Sequence, residues 1–285
     1  MTKSILLTGA TGFLGSHLAK ALLAAGHQVA AVKRPSSSLS RLAAVQADLQ
    51  WVDSDALNLA AVGPIDAIIH TATCYGRNHE TVDDLLMANT RFPLRLMDAA
   101  CRHGVGAFIN SDTTLPPYLS PYAVSKRQFM MWGEFYATHH PLRFVNLRLE
   151  QFYGAHDDPT KFTAYVIKGC VNQVEELRLT AGEQRRDFIH IDDAVAAYLT
   201  LLDTSEPGFS AFDVGSGRAV TIRQFVETVH RLSNTSTRLA FGAVPYRSGE
   251  VMHAEADIAR LAALGWRCRH DLESGLRQVI EKEKT

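Results

Sequence analysis

Short apolar runs alternate with stretches of helical period over the first 150 residues. KSILLT at 3–8 reads as a buried strand, and the next helical stretch, SHLAKALLAAG, closes at Gly26. HQVAAV is a second strand ending at Lys33-Arg34, and LQWV a third, running into Asp53-Ser54-Asp55. The residues Ile65-Asp66-Ala67-Ile68-Ile69-His70 have the continuous apolar character of a strand buried on both faces. A long helix is predicted over 80–103, stopped by Gly104, and Val105 to Asn110 forms the next strand. A helix follows to about His140, then the strand LRFVNLRL. Strand and helix in regular alternation predict an α/β fold with a doubly wound parallel sheet.

Beyond residue 150 the pattern is mixed. A polar turn from Ala155 to Lys161 precedes an apolar helix, and LRLTAGEQRRDFIHIDDAVAAYLTLL, AFDVGSG and TIRQFVETVHRL follow. The tail carries Arg247-Ser248-Gly249-Glu250 and a helix leading to Leu264-Gly265-Trp266. This predicts a first domain over 1–153, joined by part of 187–218, and a smaller C-terminal substrate domain from 154–186 and 219–285.

The join between the first strand and first helix carries Gly9-Ala10-Thr11-Gly12-Phe13-Leu14-Gly15. Glycines there permit a tight turn, close approach of backbone to a pyrophosphate, and close packing of helix on strand. The helix N-terminus adds N–H groups and the positive end of its dipole. Strand, glycine loop and helix together point to a Rossmann dinucleotide site, with Gly9, Thr11, Gly12, Phe13, Leu14 and Gly15 against the phosphates. Many such folds place an acidic residue after the second strand for the ribose 2′-OH. Here Lys33 and Arg34 stand instead, which suits a 2′-phosphate and predicts NADP, with NAD possible. Asp53 would either meet the adenine edge or cap the next helix. Thr71, Ala72 and Thr73 give the small side chains that a strand end beside a cofactor needs, and Asn89 joins the candidate cofactor-binding residues. His70 reads as a packed histidine rather than a catalyst.

A formal net charge of −1 lacks the basic footprint of a nucleic-acid binder. No apolar run approaches the roughly 20 residues of a membrane span, and glycines interrupt the N-terminus where a signal peptide would stay apolar. Cys74, Cys101, Cys170 and Cys268 are far apart without metal-ligand spacing. Free thiols, no metal site and a cytoplasmic location are expected.

The stretch SDTTLPPYLSPYAVSK, Ser111 to Lys126, carries the candidate chemistry. Ser111 lies just past a strand, at the carboxyl end where open α/β sheets bind ligands. Tyr122 and Lys126 are four residues apart, so on a helix they share one face. An ammonium near a phenol lowers its pKa, and a phenol so tuned exchanges a proton with an alcohol or sugar oxygen. Ser111 would add a hydrogen bond to that oxygen.

TGATGFLG, YAVSK, RRDFIHIDD and LGW, in that order, resemble the extended short-chain dehydrogenase/reductase family of nucleotide-sugar epimerases, dehydratases and reductases. The resemblance spans nearly the whole chain. It implies a catalytic set of Ser111, Tyr122 and Lys126, with Lys126 also holding the nicotinamide ribose. It implies a nucleotide-sugar substrate met by Arg186 at the diphosphate and by Arg247 and Glu250 at phosphate and ribose. Gln151 stands where many relatives have an asparagine that touches substrate, and Asp112 joins the substrate-binding set. Dehydratases of the family follow the serine or threonine with Asp-Glu. Here Asp112 is followed by Thr113, which argues against dehydration. The short insert before Tyr122 and the segment Arg148 to Gly154 look most like the CDP-4-keto-6-deoxyhexose reductases. The expected activity is NADPH-dependent reduction of a sugar C4 ketone. The alternatives are a 4-epimerase with retained NAD and a non-catalytic dinucleotide-sensing protein. The family also implies a homodimer through the helices near 80–103 and 122–138.

Overall fold

In the computed structural model, which describes residues 1–284, the elements run in the following order. First come β1 (Ser4–Thr8), α1 (Phe13–Ala24), β2 (Gln28–Lys33), β3 (Gln50–Asp53), α2 (Leu59–Val62) and β4 (Ala67–His70). Then α3 (Val82–Leu86), α4 (Phe92–Arg102), β5 (Ala107–Thr113), α5 (Pro121–His139), β6 (Arg143–Leu149), β7 (Gln151–Tyr153) and α6 (Phe162–Val171). The remainder is β8 (Glu176–Leu179), β9 (Arg185–His190), α7 (Ile191–Leu202), β10 (Phe209–Val214), β11 (Ala219–Thr221), α8 (Ile222–Ser233), β12 (Arg238–Phe241), α9 (Ala259–Ala263) and α10 (Leu272–Glu283). The fold is α/β with a central seven-stranded sheet in the order β10-β6-β5-β4-β1-β2-β3. The pairs β1–β2, β1–β4, β2–β3 and β4–β5 are parallel. No helix among the described residues is long and apolar enough to cross a membrane.

The chain divides into two compact units, residues 1–148 with 195–212, and residues 149–194 with 213–284. The first packs its helices on the sheet through Leu6, Ile68, Leu96, Phe108, Phe129 and Phe144. Phe108 stacks on Phe144 at 5.6 Å, and Phe129 meets both rings edge-on. A methyl group on Gly133 would sit 2.2 Å from the Phe144 ring, so α5 lies against β6 only because that residue lacks a Cβ. Ser120 caps α5 by accepting from the Ala123 N–H, and Pro121 occupies its first turn, where no donor is needed.

The long helix expected over 80–103 is broken in geometry though continuous in path. Met87–Arg91 is a π-helical turn between α3 and α4. Pro93 has no N–H to return to the carbonyl of residue 89, so regular α-helical bonding fails there. Asn89 sits in that turn.

The second unit has a three-stranded sheet, β11-β9-β7, and the pair β12–β8. Its core stacks Phe188 on Phe225 at 4.1 Å, beside Tyr153, Val166 and Leu276. Asp187 is fully buried in β9 and accepts from the N–H groups of Ser216, Gly217 and Ala256 and from the Ser216 hydroxyl. A buried carboxylate needs such donors, and they fasten the Gly215–Arg218 turn to β9.

Candidate active site

Gly9 has φ +70°, and a Cβ there would lie 2.6 Å from the Ala72 nitrogen and 2.7 Å from Thr71 Oγ1. The turn after β1 is thus pressed against the residues following β4. Thr71 Oγ1 donates to the Thr8 carbonyl at 2.8 Å, and Thr8 Oγ1 meets His70 Nδ1 at 2.7 Å. Gly12 caps α1 with no side chain occupying its N-terminus. That leaves first-turn N–H groups for a phosphate, in a helix long enough to carry a dipole.

At the end of β2, Lys33 and Arg34 have no side-chain partner among the described residues, and residues 34–37 form a turn closed by Ser37 N–H to the Arg34 carbonyl at 3.0 Å. Asp53 does not cap the next helix. Its Oδ1 accepts from the Asp55 N–H at 2.9 Å, while Asn58 caps α2. His70 is fully buried among Phe92, Phe108 and Phe129. Burial, and then the nearby Lys126 charge, hold it well below its usual pKa, so it is a neutral core residue. Asn89 is buried as well. Its amide donates to the Cys74 carbonyl and Ser125 Oγ and accepts from the Cys74 N–H, fastening the segment after β4 to α5.

Ser111, Asp112 and Thr113 end β5. Side chains alternate along a strand, so 111 and 113 turn to one face and 112 to the other. Ser111 Oγ lies 2.6 Å from the Tyr198 hydroxyl, both groups buried. The Thr113 hydroxyl is near enough to Tyr122 to oppose the rise in its pKa. The Leu115 N–H donates to Thr113 Oγ1 at 3.2 Å, which leaves the Thr113 proton to point elsewhere. Ser111 is thus engaged by Tyr198, and Thr113 lies two residues further toward the strand end. Asp112 is held by the Thr113 N–H and by Asn146, whose amide oxygen takes a bond from Asn110.

Tyr122 and Lys126 lie one turn apart on α5. Lys126 is 1% exposed, and its Nζ has no hydrogen-bond partner among the described residues. Burial lowers its pKa, against the pull of Asp112. An orphaned buried ammonium fits a site that is completed by polar ligand oxygens, and with the glycine turn it fits a dinucleotide. Burial pushes the Tyr122 phenol well above its usual range, with Tyr75 and Asp112 adding to the rise and the Thr113 hydroxyl and Arg77 opposing it. At neutral pH the phenol keeps its proton.

Tyr75 and Arg77 were not legible as site residues. The Tyr75 ring lies 5.3 Å from that of Tyr122, and the Arg77 guanidinium sits 4.8 Å above the Tyr75 ring. No motif marks the segment after β4; its place past a strand end is the one available signal.

In the second unit, Arg186 Nη2 donates to Glu250 Oε1 at 2.6 Å, and Nη1 to the Arg185 carbonyl at 2.9 Å. Asp187, next to Arg186 in sequence, is spent on the turn at 215–218. Arg247 is exposed, and its carbonyl accepts from the Glu250 N–H. Gln151 opens β7 with its side chain exposed. His190, Asp192 and His270 bring donor atoms within 4.8 Å of one another, a group with no cysteine in it. His190 Nδ1 already accepts from the Asp192 N–H, and His270 Nδ1 contacts Asp193 at 3.0 Å. Burial pulls His190 down to about 4. The His270 bond ties the segment before α10 to the first turn of α7.

The sequence profile of the NAD dependent epimerase/dehydratase family matches residues 5–215. A CDP-abequose synthase of Salmonella muenchen is 32% identical, over 100% of this chain and 99% of its own length. A UDP-glucose 4-epimerase of Mycolicibacterium smegmatis is 26% identical, with 97% of each chain covered. Among solved structures, MoeE5 in complex with UDP-glucose and NAD superposes with a TM-score of 0.84 at 27% identity, covering 98% of this chain and 97% of that one. The UDP-glucose 4-epimerase of Thermotoga maritima gives a TM-score of 0.87 at 23% identity, covering 98% of each, a likeness of fold.

Proposed function

Because the chain belongs to the NAD dependent epimerase/dehydratase family of nucleotide-sugar enzymes, we propose that it is a reductase. Its substrate would be the C4 ketone of a CDP- or dTDP-linked 4-keto-6-deoxy sugar. The observation that carries this reading is the buried Lys126 ammonium, without a hydrogen-bond partner among the described residues, one helical turn from Tyr122. Reduction of a ketone needs a proton donor at the developing alkoxide, and a buried phenol that retains its proton is in that state. A reduced nicotinamide dinucleotide bound at the glycine turn supplies the hydride. Tyr122 delivers the proton, and the Thr113 hydroxyl bonds the same oxygen. Lys126 holds ribose hydroxyls with its free Nζ and favours the phenolate left after transfer. Ser111 and Tyr198 hold the floor of the site. Asp112, through Asn146, fixes the end of β5. Arg186, with Glu250, and Arg247 recognise the nucleotide diphosphate and ribose, since guanidinium groups bond phosphate oxygens in pairs. Gln151 contributes a substrate contact. Gly9, Thr11, Gly12, Phe13, Leu14 and Gly15 take the dinucleotide phosphates, Thr71, Ala72 and Thr73 line its path, and Asp53 takes the adenine edge.

The test is a panel of CDP-, dTDP-, UDP- and GDP-linked 4-keto-6-deoxy sugars with NADPH and NADH, followed by nicotinamide absorbance. Turnover is expected with one of the first two nucleotides. If no ketone consumes cofactor, and UDP-glucose is converted instead with NAD retained, the epimerase reading replaces it. Thr113→Val is expected to lower kcat by roughly 10- to 100-fold and Ser111→Ala by a few-fold, the size of one lost site hydrogen bond set against a supporting one. The reverse order of losses would return the catalytic role to Ser111.

NADPH is the preferred donor in this reading, since the unpartnered Lys33 and Arg34 side chains suit a 2′-phosphate. Arg34→Ala is expected to weaken NADPH by about 10-fold while leaving NADH nearly unchanged, the worth of one charge-assisted contact. Equal losses in fluorescence titrations would remove the 2′-phosphate contact.

A homodimer belongs to the same proposal. Met131, Trp132 and Phe135 are exposed on α5, an apolar patch unusual on a solvated helix. Paired Trp132→Glu and Phe135→Glu substitutions are expected to halve the mass measured by light scattering. A wild-type chain that is already monomeric would refute this.

A further inference from the structure

We propose a second ligand site, for a small oxyanion, at the amino-terminal ends of the central strands. A cavity of about 390 Å³ lies there, within the range of roughly 300–1,000 Å³ that holds small ligands. Its lining includes Lys3 just before β1, Ala107 at the start of β5 and Arg143 at the start of β6. Ser111 and the glycine turn sit at the opposite, carboxyl ends. β5 spans seven residues, so roughly 20 Å of strand separates the two ends. The cavity is therefore not part of the dinucleotide site.

Arg143 is the group that calls for a ligand. Its side chain is 8% exposed, and no carboxylate pairs with it among the described residues. Nη1 donates to the Leu201 carbonyl at 2.9 Å and to Thr204 Oγ1 at 2.7 Å, while Nε and Nη2 bond nothing among the described residues. Burial without a counter-charge lowers its pKa. Lys3 Nζ bonds the Leu202 carbonyl at 2.5 Å and Asp203 at 3.0 Å. The two cations thus close the C-terminal end of α7, whose dipole is worth about half a charge. Asp203 answers Lys3. Asp66, the carboxylate in the lining, is bonded to the Ser4 N–H at 2.7 Å. Arg143 lines the cavity with no carboxylate paired to it among the described residues. Buried arginines are otherwise paired, and the free Nε–Nη2 edge matches two oxygens of a carboxylate or phosphate.

The experiment titrates inorganic phosphate, and separately succinate, into the chain held at saturating NADPH so that the glycine turn is filled, with heat of binding as readout. Saturable one-site binding of at least one probe is expected. Arg143→Gln should weaken it by about 10-fold or more, the worth of a charge-assisted pair. Ser205→Trp, which fills the cavity from its exposed rim and leaves Arg143 intact, should weaken it as much, and it decides the matter if Arg143→Gln does not fold. Unchanged binding in Ser205→Trp, or no saturable binding of either probe in the wild type, would overturn the proposal.

Discussion

Tyr122→Phe is expected to lower turnover by roughly 100- to 10,000-fold, the usual worth of a positioned general acid, while NADPH binds within a few-fold of the wild type. The substitution removes one oxygen. The ring stays packed 5.3 Å from Tyr75, so the local structure has no reason to change. Thr113 keeps the bond from the Leu115 N–H. The loss should fall on kcat, because the proton is transferred in the step and not on binding. Single-turnover kinetics with pre-bound NADPH would separate the two. Near-normal turnover would remove the tyrosine from the chemistry and leave Thr113 or Ser111 to supply the proton.

Gly15→Ala is expected to weaken dinucleotide binding by at least about 100-fold and to lower thermal stability. The new Cβ would stand 2.1 Å from the Gly9 carbonyl oxygen, 2.7 Å from its carbon and 2.9 Å from Ala10 Cα. All three are backbone atoms, so no side chain can swing aside. The turn cannot open outward either, because Gly9 is pressed on the Ala72 nitrogen. Relief must come from shifting α1 away from β1, and that moves the first-turn N–H groups that face the phosphates. Fluorescence titration with NADPH reads the loss directly, and circular dichroism on heating reads the stability. Unchanged affinity would place the dinucleotide elsewhere in the molecule.

What the sequence made legible is set by distance along the chain. The glycine loop and the pair Tyr122–Lys126 are local patterns, and the strand, turn and helix that give them meaning are neighbours in sequence. The alternation of strand and helix likewise carried the α/β sheet. The partner of Ser111 was not legible, because nothing in SDTTLPPYLSPYAVSK marks it. Tyr198, which holds Ser111, comes from a helix 87 residues away. Tyr75 and Arg77 arrive on the segment after β4, with no pattern of their own. The proton affinity of Tyr122 depends on burial, and spacing to Lys126 says nothing about how far a site is desolvated. The π-turn that buries Asn89 was written in the sequence by Pro93, but its effect on the Cys74–Ser125 clamp needs the fold. Asp187 reads as one more charge in RRDFIHIDD, and its task of fastening the turn at 215–218 is visible only in three dimensions.

Hydride and proton meeting at a sugar C4 is the central claim, and isotope transfer tests it most directly. The chain would be incubated with NADPH deuterated at the transferred position and with the CDP- or dTDP-linked 4-keto-6-deoxy sugar that turns over, and the product analysed by mass spectrometry and NMR. One deuterium on C4 per NADPH consumed is the predicted result. A product without deuterium at C4, or an inverted C4 hydroxyl formed with no net consumption of NADPH, would contradict it.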